Sequence, residues 1–148
     1  MVETSRLRIY DYLRSLFVGL VNNNVYCITA PTSNTQSDTK DGFIVLNVGD
    51  INDMSEFHHD AYGWVRCFVT AYIPKFGSGG YLDDELYGTY EDAITQKIEE
   101  EIGRPSNQDY YIEEDSVLSM DDSTESQKGN QYHTFVKSFK VIIDRESN

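Results

Sequence analysis

The stretch YGWVRCFVTAYI, residues 62–73, and the segment TYEDAITQKIEEEI that follows at residues 89–102 decide the fold. In the first, Val65, Cys67, Val69, Ala71 and Ile73 alternate with Tyr62, Trp64, Arg66, Phe68, Thr70 and Tyr72. A two-residue period places one set on each face of a strand, so the apolar odd face meets a core and the amphipathic even face stays half-exposed. In the second, Tyr90, Ile94, Ile98 and Ile102 recur every fourth residue, which predicts a helix over 89–102. Thr89 and Asp92 resemble a capping box with Asp in place of Glu, and Gly103 then Pro105 close the helix. Between strand and helix, Pro74–Gly88 reads as a loop carrying Gly77, Gly79 and Gly80 and then the acids Asp83, Asp84 and Glu85.

The pattern continues in both directions. Residues 4–21 predict a first helix, with Ile9, Leu13, Leu16, Phe17 and Leu20 on one face, Thr4 or Ser5 as cap and Asn22-Asn23-Asn24 as its stop. Val25–Ala30 reads as a short strand, Thr32–Gly42 as a polar loop that buries nothing, and FIVLNVGDI (43–51) as a strand in which Gly49 marks a bulge. After the second helix, Tyr110–Met120 and Tyr132–Ile143 are strands joined by a mobile turn, DDSTESQKGNQ (121–131). The order is α-β-β-β-α-β-β. Strands joined mostly by turns favour an α+β fold, a mainly antiparallel sheet with two helices packed on one face. We expect a single domain over residues 1–148, with flexible loops near 32–42, 74–88 and 121–131.

Composition narrows function more than it defines it. Hydrophobic residues make up 39% and aromatic residues 13%, enough for a packed core. No stretch approaches the roughly 18–20 apolar residues that cross a bilayer, and charges interrupt the apolar positions of the N-terminus, so it does not read as a signal peptide. Residues 1–20 hold three arginines against Glu3 and Asp11, net +1; with −13 for the chain, the other 128 carry −14. Such a surface is a poor nucleic-acid binder, because backbone affinity comes from cations that neutralise phosphates.

Candidate chemistry is sparse. His58-His59-Asp60 has metal-ligand residue types, yet adjacent residues of an extended chain point oppositely. Cys27 and Cys67 lie in apolar strands, where thiols are usually inert; whether they pair is open on sequence alone. Gly77-Ser78-Gly79-Gly80 lacks the Lys-Ser/Thr of a phosphate loop and is followed by acids. Asp121-Asp122 lacks the spaced ligands of a calcium loop. We therefore expect no catalytic residue, no metal, no cofactor and no enzyme activity. An enzyme with a metal at His58 and His59 is the least favoured reading.

The layout resembles a known group of proteins. Its carriers are LRIYDYLRSLFVGL (7–20), HHDAYGWVRCFVTAYIPKF (58–76), TYEDAITQKIEEEIG (89–103) and QYHTFVKSFKVII (131–143). Together they resemble the tail terminator and tail-completion proteins of tailed bacteriophages and the related head-to-tail connector ring proteins, in which a histidine often opens the long strand and the final strand, as His58-His59 and His133 do. The likeness is one of pattern and length over nearly the whole chain, without a signature motif. The departures are the loop at Thr32–Gly42, the acidic insertion at Lys75–Gly88 and the long segment before the last strand. The resemblance implies a virion protein, present in the host cytoplasm during assembly. It would form a ring of six or twelve copies that contacts neck, portal or tail proteins and lets DNA pass without specific binding. Tyr62, Trp64, Arg66, Phe68 and Tyr72 are then the candidate subunit interface. Asp83, Asp84, Glu85, Asp121 and Asp122 are the candidate acidic loops facing the channel or a neighbour. The alternative is an acidic DNA mimic or inhibitor occupying a basic groove; the acids, read as scattered through loops, favour it less.

Overall fold

The computed structural model describes residues 6–28, 41–49, 52–53, 62–75, 81–106, 110–122 and 132–144, with the backbone alone at 52–53, 62, 115–122 and 144. In chain order the elements are α1 (Arg6–Phe17), β1 (Val25–Cys27), β2 (Phe43–Val48), β3 (Asn52–Asp53), β4 (Tyr62–Pro74), α2 (Asp84–Gly103), β5 (Tyr110–Asp122) and β6 (Tyr132–Asp144). This is the expected α+β fold. The strands form one sheet in the order β1-β2-β4-β6-β5, with the two-residue β3 also pairing β4. Only β1–β2 is parallel.

Strand β4 is the axis of the sheet, paired along its whole length to β6 from Tyr62↔Asp144 to Pro74↔Tyr132. Val65, Cys67, Val69, Ala71 and Ile73 are fully buried, as the alternation requires. They share a core with Ile9, Leu13, Leu16 and Phe17 of α1 and with Tyr90, Ile94 and Ile98 of α2. Both helices thus lie on one face. Each buried aliphatic or aromatic side chain contributes about 1.5–3 kcal/mol relative to exposure. Between Val48↔Cys67 and Asn52↔Trp64 the register slips by one residue, the offset of a bulge, and the Gly49 N–H donates to Arg66 O at 2.9 Å.

Several boundaries differ from the sequence reading. Helix α1 ends at Phe17, and Gly19 at φ 79° supplies the left-handed turn that the asparagines were expected to supply. Strand β1 stops at Cys27, because Ile28 adopts φ 77°, a conformation that costs a β-branched residue roughly 1–2 kcal/mol. The expected extension to Ala30 and the polar stretch to Lys40 fall largely outside the described residues.

Helix α2 begins five residues before the expected Thr89. Asp83 is its N-cap, accepting from the Leu86 N–H at 3.1 Å, while Thr89 Oγ1 donates to Glu85 O inside the helix. Asp83, read from sequence only as a loop acid, takes the role, since an aspartate satisfies the same orphan N–H. Ile102 also departs from expectation. A four-residue repeat drifts about 40° per step on a 3.6-residue helix. By the third step Ile102 is 40% exposed, and Glu101 takes the buried position.

Candidate functional site

The even positions of β4 lie on the face of the sheet opposite the helices. Cross-strand register places Trp64 beside Ile142, Arg66 beside Lys140, Phe68 beside Asn47 and Ser138, Thr70 beside Val45 and Val136, and Tyr72 beside Phe43 and Thr134. Among the described residues no helix covers this face. Trp64, Phe68 and Tyr72 are half-buried and Arg66 is exposed, as the alternation predicts. The side chain of Tyr62 is outside the described residues.

The five interface candidates do not form one uniform patch. Tyr72 stacks on Phe43 with ring centroids 4.7 Å apart and 9° between planes. Tyr132 meets both rings edge-on, at 5.3 and 5.9 Å, and Tyr26 meets Phe43 edge-on at 5.7 Å. This cluster with Val45 is a second small core, in which Phe43 and Tyr132 are buried. Such pairs add about 0.5–1.5 kcal/mol each beyond area burial, so Tyr72 serves folding as well as surface. At the other end, Lys140 Nζ sits 5.0 Å from the Trp64 ring centroid. Glu113 of β5 lies opposite Lys140, so this end sets one carboxylate in a row with two cations, Arg66 and Lys140, beside an indole. The even-position pattern located the strand face; the Phe43–Tyr132 cluster was missed because it joins residues 89 positions apart.

The acidic candidates are brought to one end of the molecule, but not as loops. Asp83 caps α2, and Asp84 and Glu85 form its exposed first turn. Carboxylates there are favoured by the helix dipole by about 0.3–1 kcal/mol each. Asp121 and Asp122 belong to β5, paired to Thr134 and His133, and not to a turn. Tyr87, one turn into α2, meets Phe135 at 5.9 Å, and Phe135 is paired to Met120. The start of α2 and the end of β5 therefore share one end of the sheet.

A network tethers the two helices there. The Tyr90 hydroxyl is buried, donates to Asp41 O at 3.0 Å and accepts from Asn22 Nδ2 at 2.8 Å. Burial pushes its pKa up to about 12, against a lowering by the Asn22 bond and a further rise from Asp41. Gly42 is buried at φ 83°, and a Cβ there would stand 2.8 Å from both Tyr72 O and Tyr90 Cε2. Contrary to the polar-loop expectation, the end of the 32–42 segment is thus packed. Asparagine and glycine read from sequence as stop and loop signals carry no hint of this role.

A pocket of about 440 Å³ is lined by Lys97, Glu100, Glu101, Gly103, Arg104 and Ser106. Glu101, only 3% exposed, accepts from the Ser106 N–H through Oε1 and from Ser106 Oγ at 3.1 Å through Oε2. Both oxygens are engaged in holding the chain after α2, which makes Glu101 a tether and not a poised base. Cys27 and Cys67 are free thiols. Cys27 aligns with Leu46 and thence with Val69, so β2 separates it from Cys67, beyond disulfide reach. Desolvation pushes the Cys67 thiol up to about 12, which suppresses the nucleophilic thiolate. Among the described residues no group of three or more His, Cys, Asp or Glu is placed to hold a metal; His58 and His59 lie outside them. No described helix is long and apolar enough to cross a membrane. Compared with known protein families and with curated proteins, the chain matches none.

Proposed function

We propose that this chain is a ring-forming structural protein of a tailed bacteriophage particle, acting at the head–tail neck or the tail end, where it connects or terminates the tail and lets DNA pass. The observation that carries the reading is the half-apolar, aromatic outer face of the sheet, which no described helix covers. Tyr, Trp and Phe in such a position suit a contact with another subunit. Copies would assemble in the host cytoplasm into rings of six or twelve and join neck, portal or tail proteins. A net charge of −13 suits a wall past which DNA slides without adhering. On this reading the protein has no catalytic role. Size-exclusion with light scattering, backed by negative-stain imaging, tests it. Rings that dissociate on Trp64→Glu or Phe68→Glu, with the circular dichroism of the native fold retained, are the expected result. A wild-type chain that stays monomeric at high concentration and does not associate with phage particles would refute it.

One observation favours the acidic-mimic alternative more than sequence did: the acids on α2 are ordered along a helix, not scattered in loops. Asp84, Glu85, Glu91, Asp92, Glu99 and Glu100 line about 24 Å of axis. That is about one carboxylate per 5 Å, against about one phosphate per 1.7 Å of duplex. The density is threefold too low for close mimicry, and the ring reading stays first. Salt-sensitive capture of a basic nuclease by the purified chain would reverse that order.

A further inference from the structure

The backbone of α1 lies nearest β1 and β2 and that of α2 nearest β5, β4 and β6. The two helices touch, and Tyr12 and Phe17 of α1 reach across to Tyr110 of β5 and Phe139 of β6. The two helices therefore lie side by side on one sheet face, α1 toward the β1 flank and α2 toward the β5 flank. Those flanks carry opposite charge. Helix α1 holds Arg6, Arg8 and Arg14 against Asp11, net +2; α2 holds seven carboxylates against Lys97, net −6. In a chain of −13, α1 is an exception.

The exposed stripes are well defined. On α1 and the turn that continues it, Leu7, Asp11, Arg14 and Val18 follow one another at intervals of four, three and four, with Arg8 beside them, and all five are exposed. Leu7 is 70% exposed, an unusual position for leucine in a helix that buries six other residues. On α2, Glu85, Asp92 and Glu99 recur every seven residues, with Thr89 and Gln96 between them, and all are exposed. The carboxylates are about 10.5 Å apart along the axis.

We infer that the basic, partly apolar stripe of α1 docks on the acidic stripe of α2 of a second copy of this chain. The inference rests on the ring reading above and names a second contact between neighbouring copies, beside the sheet-face contact. Charge decides the pairing: α2 against α2 sets −6 against −6, and α1 against α1 sets +2 against +2. Only α1 against α2 is attractive. Because each copy offers one of each, the contact is head-to-tail, the kind that closes into a ring when its rotation divides the circle. Aliphatic Leu7 and Val18, about 16.5 Å apart, bracket the stripe at its two ends, while Arg8 and Arg14 between them engage carboxylates. The aromatic sheet face is left as a separate contact surface.

Salt is a poor probe, since it screens the mutual repulsion of −13 chains together with the contact. Charge exchange is better. One variant combines Arg8→Glu with Arg14→Glu; the other combines Glu85→Lys, Asp92→Lys and Glu99→Lys. All five positions are exposed, and unchanged circular dichroism and melting temperature verify folding. Light scattering is expected to show each variant alone weakened in self-association by about tenfold or more, and an equimolar mixture restored, because every contact in an alternating ring is again complementary. Leu7→Ser, which touches no charge, should weaken association as well. If the acid-to-lysine variant assembles like the wild type, or the mixture stays dissociated, the pairing is wrong while rings of wild-type protein leave the ring reading intact. A wild-type chain that is itself monomeric removes the ring reading and this contact with it.

Discussion

Two tyrosines of the core should respond in opposite directions to the same chemical change. Tyr90→Phe removes a buried hydroxyl that donates to Asp41 O at 3.0 Å and accepts from Asn22 Nδ2 at 2.8 Å. Asn22 Nδ2 keeps longer contacts to Gly42 O at 3.3 Å and Asp41 O at 3.4 Å, so its donor is not stranded. The loss then falls at about 1–2 kcal/mol, not at the full cost of orphaned groups. Tyr12→Phe removes a buried hydroxyl with no hydrogen-bond partner among the described residues. Its ring stacks on Tyr110 at 4.8 Å, a contact that phenylalanine retains. Deleting an unsatisfied polar group relieves its desolvation, so this variant should be neutral or more stable by up to about 1 kcal/mol. For a chain of this length about 1 kcal/mol moves the melting temperature by roughly 2–4 °C. Tyr90→Phe should therefore melt about 2–8 °C lower and Tyr12→Phe no lower than wild type. Urea titration with an unchanged slope confirms that stability, not the unfolded state, has moved. Equal destabilisation by the two substitutions would refute the assignment of one hydroxyl as satisfied and the other as orphaned.

Three further outcomes follow from the same structure. Gly88→Ala, at a helical position with open space around the new Cβ, should stabilise by about 1 kcal/mol in chemical denaturation, and a loss would place the start of α2 elsewhere. Ile28→Gly should raise stability by about 1 kcal/mol, since it relieves φ 77° at an exposed side chain (56%); calorimetry showing a loss would mean that Ile28 packs on something. Stability should also fall in alkali. The Cys67 thiol titrates from 9.0 unfolded to about 12 folded, so both states are protonated below pH 9 and no stability is lost there. Above pH 9 the unfolded thiol ionises first, and stability drops by about 1.4 kcal/mol per pH unit until pH 12. Tyr90, raised from 10.0 to about 12, and Tyr12, Tyr72 and Tyr87, also raised by burial, add further protons above pH 10. Unfolding of Cys67→Ala followed against pH should show the onset moved from about 9 to about 10.

The sequence by itself determined the elements and their order apart from the two-residue β3, because periodicity is local. Alternation over residues 62–73 separated the buried odd face of β4 from its aromatic even face, and the apolar spacing marked both helices. Local signals failed where two candidates competed. Asp83 and Thr89 are both plausible caps, and only the packing of Tyr87 on Phe135 decides that the helix must start early enough to include Tyr87. Tertiary structure alone decided the rest. The Tyr90 tether joins residues 68 and 49 positions apart, and the register slip after Val48 depends on β4. The opposite flanks of α1 and α2 exist only once the strand order is set. Side-chain periodicity acts through neighbours a few residues away and is written in the chain. Partners, flanks and charge polarity arise from contacts between segments distant in sequence, which only the assembled sheet brings together.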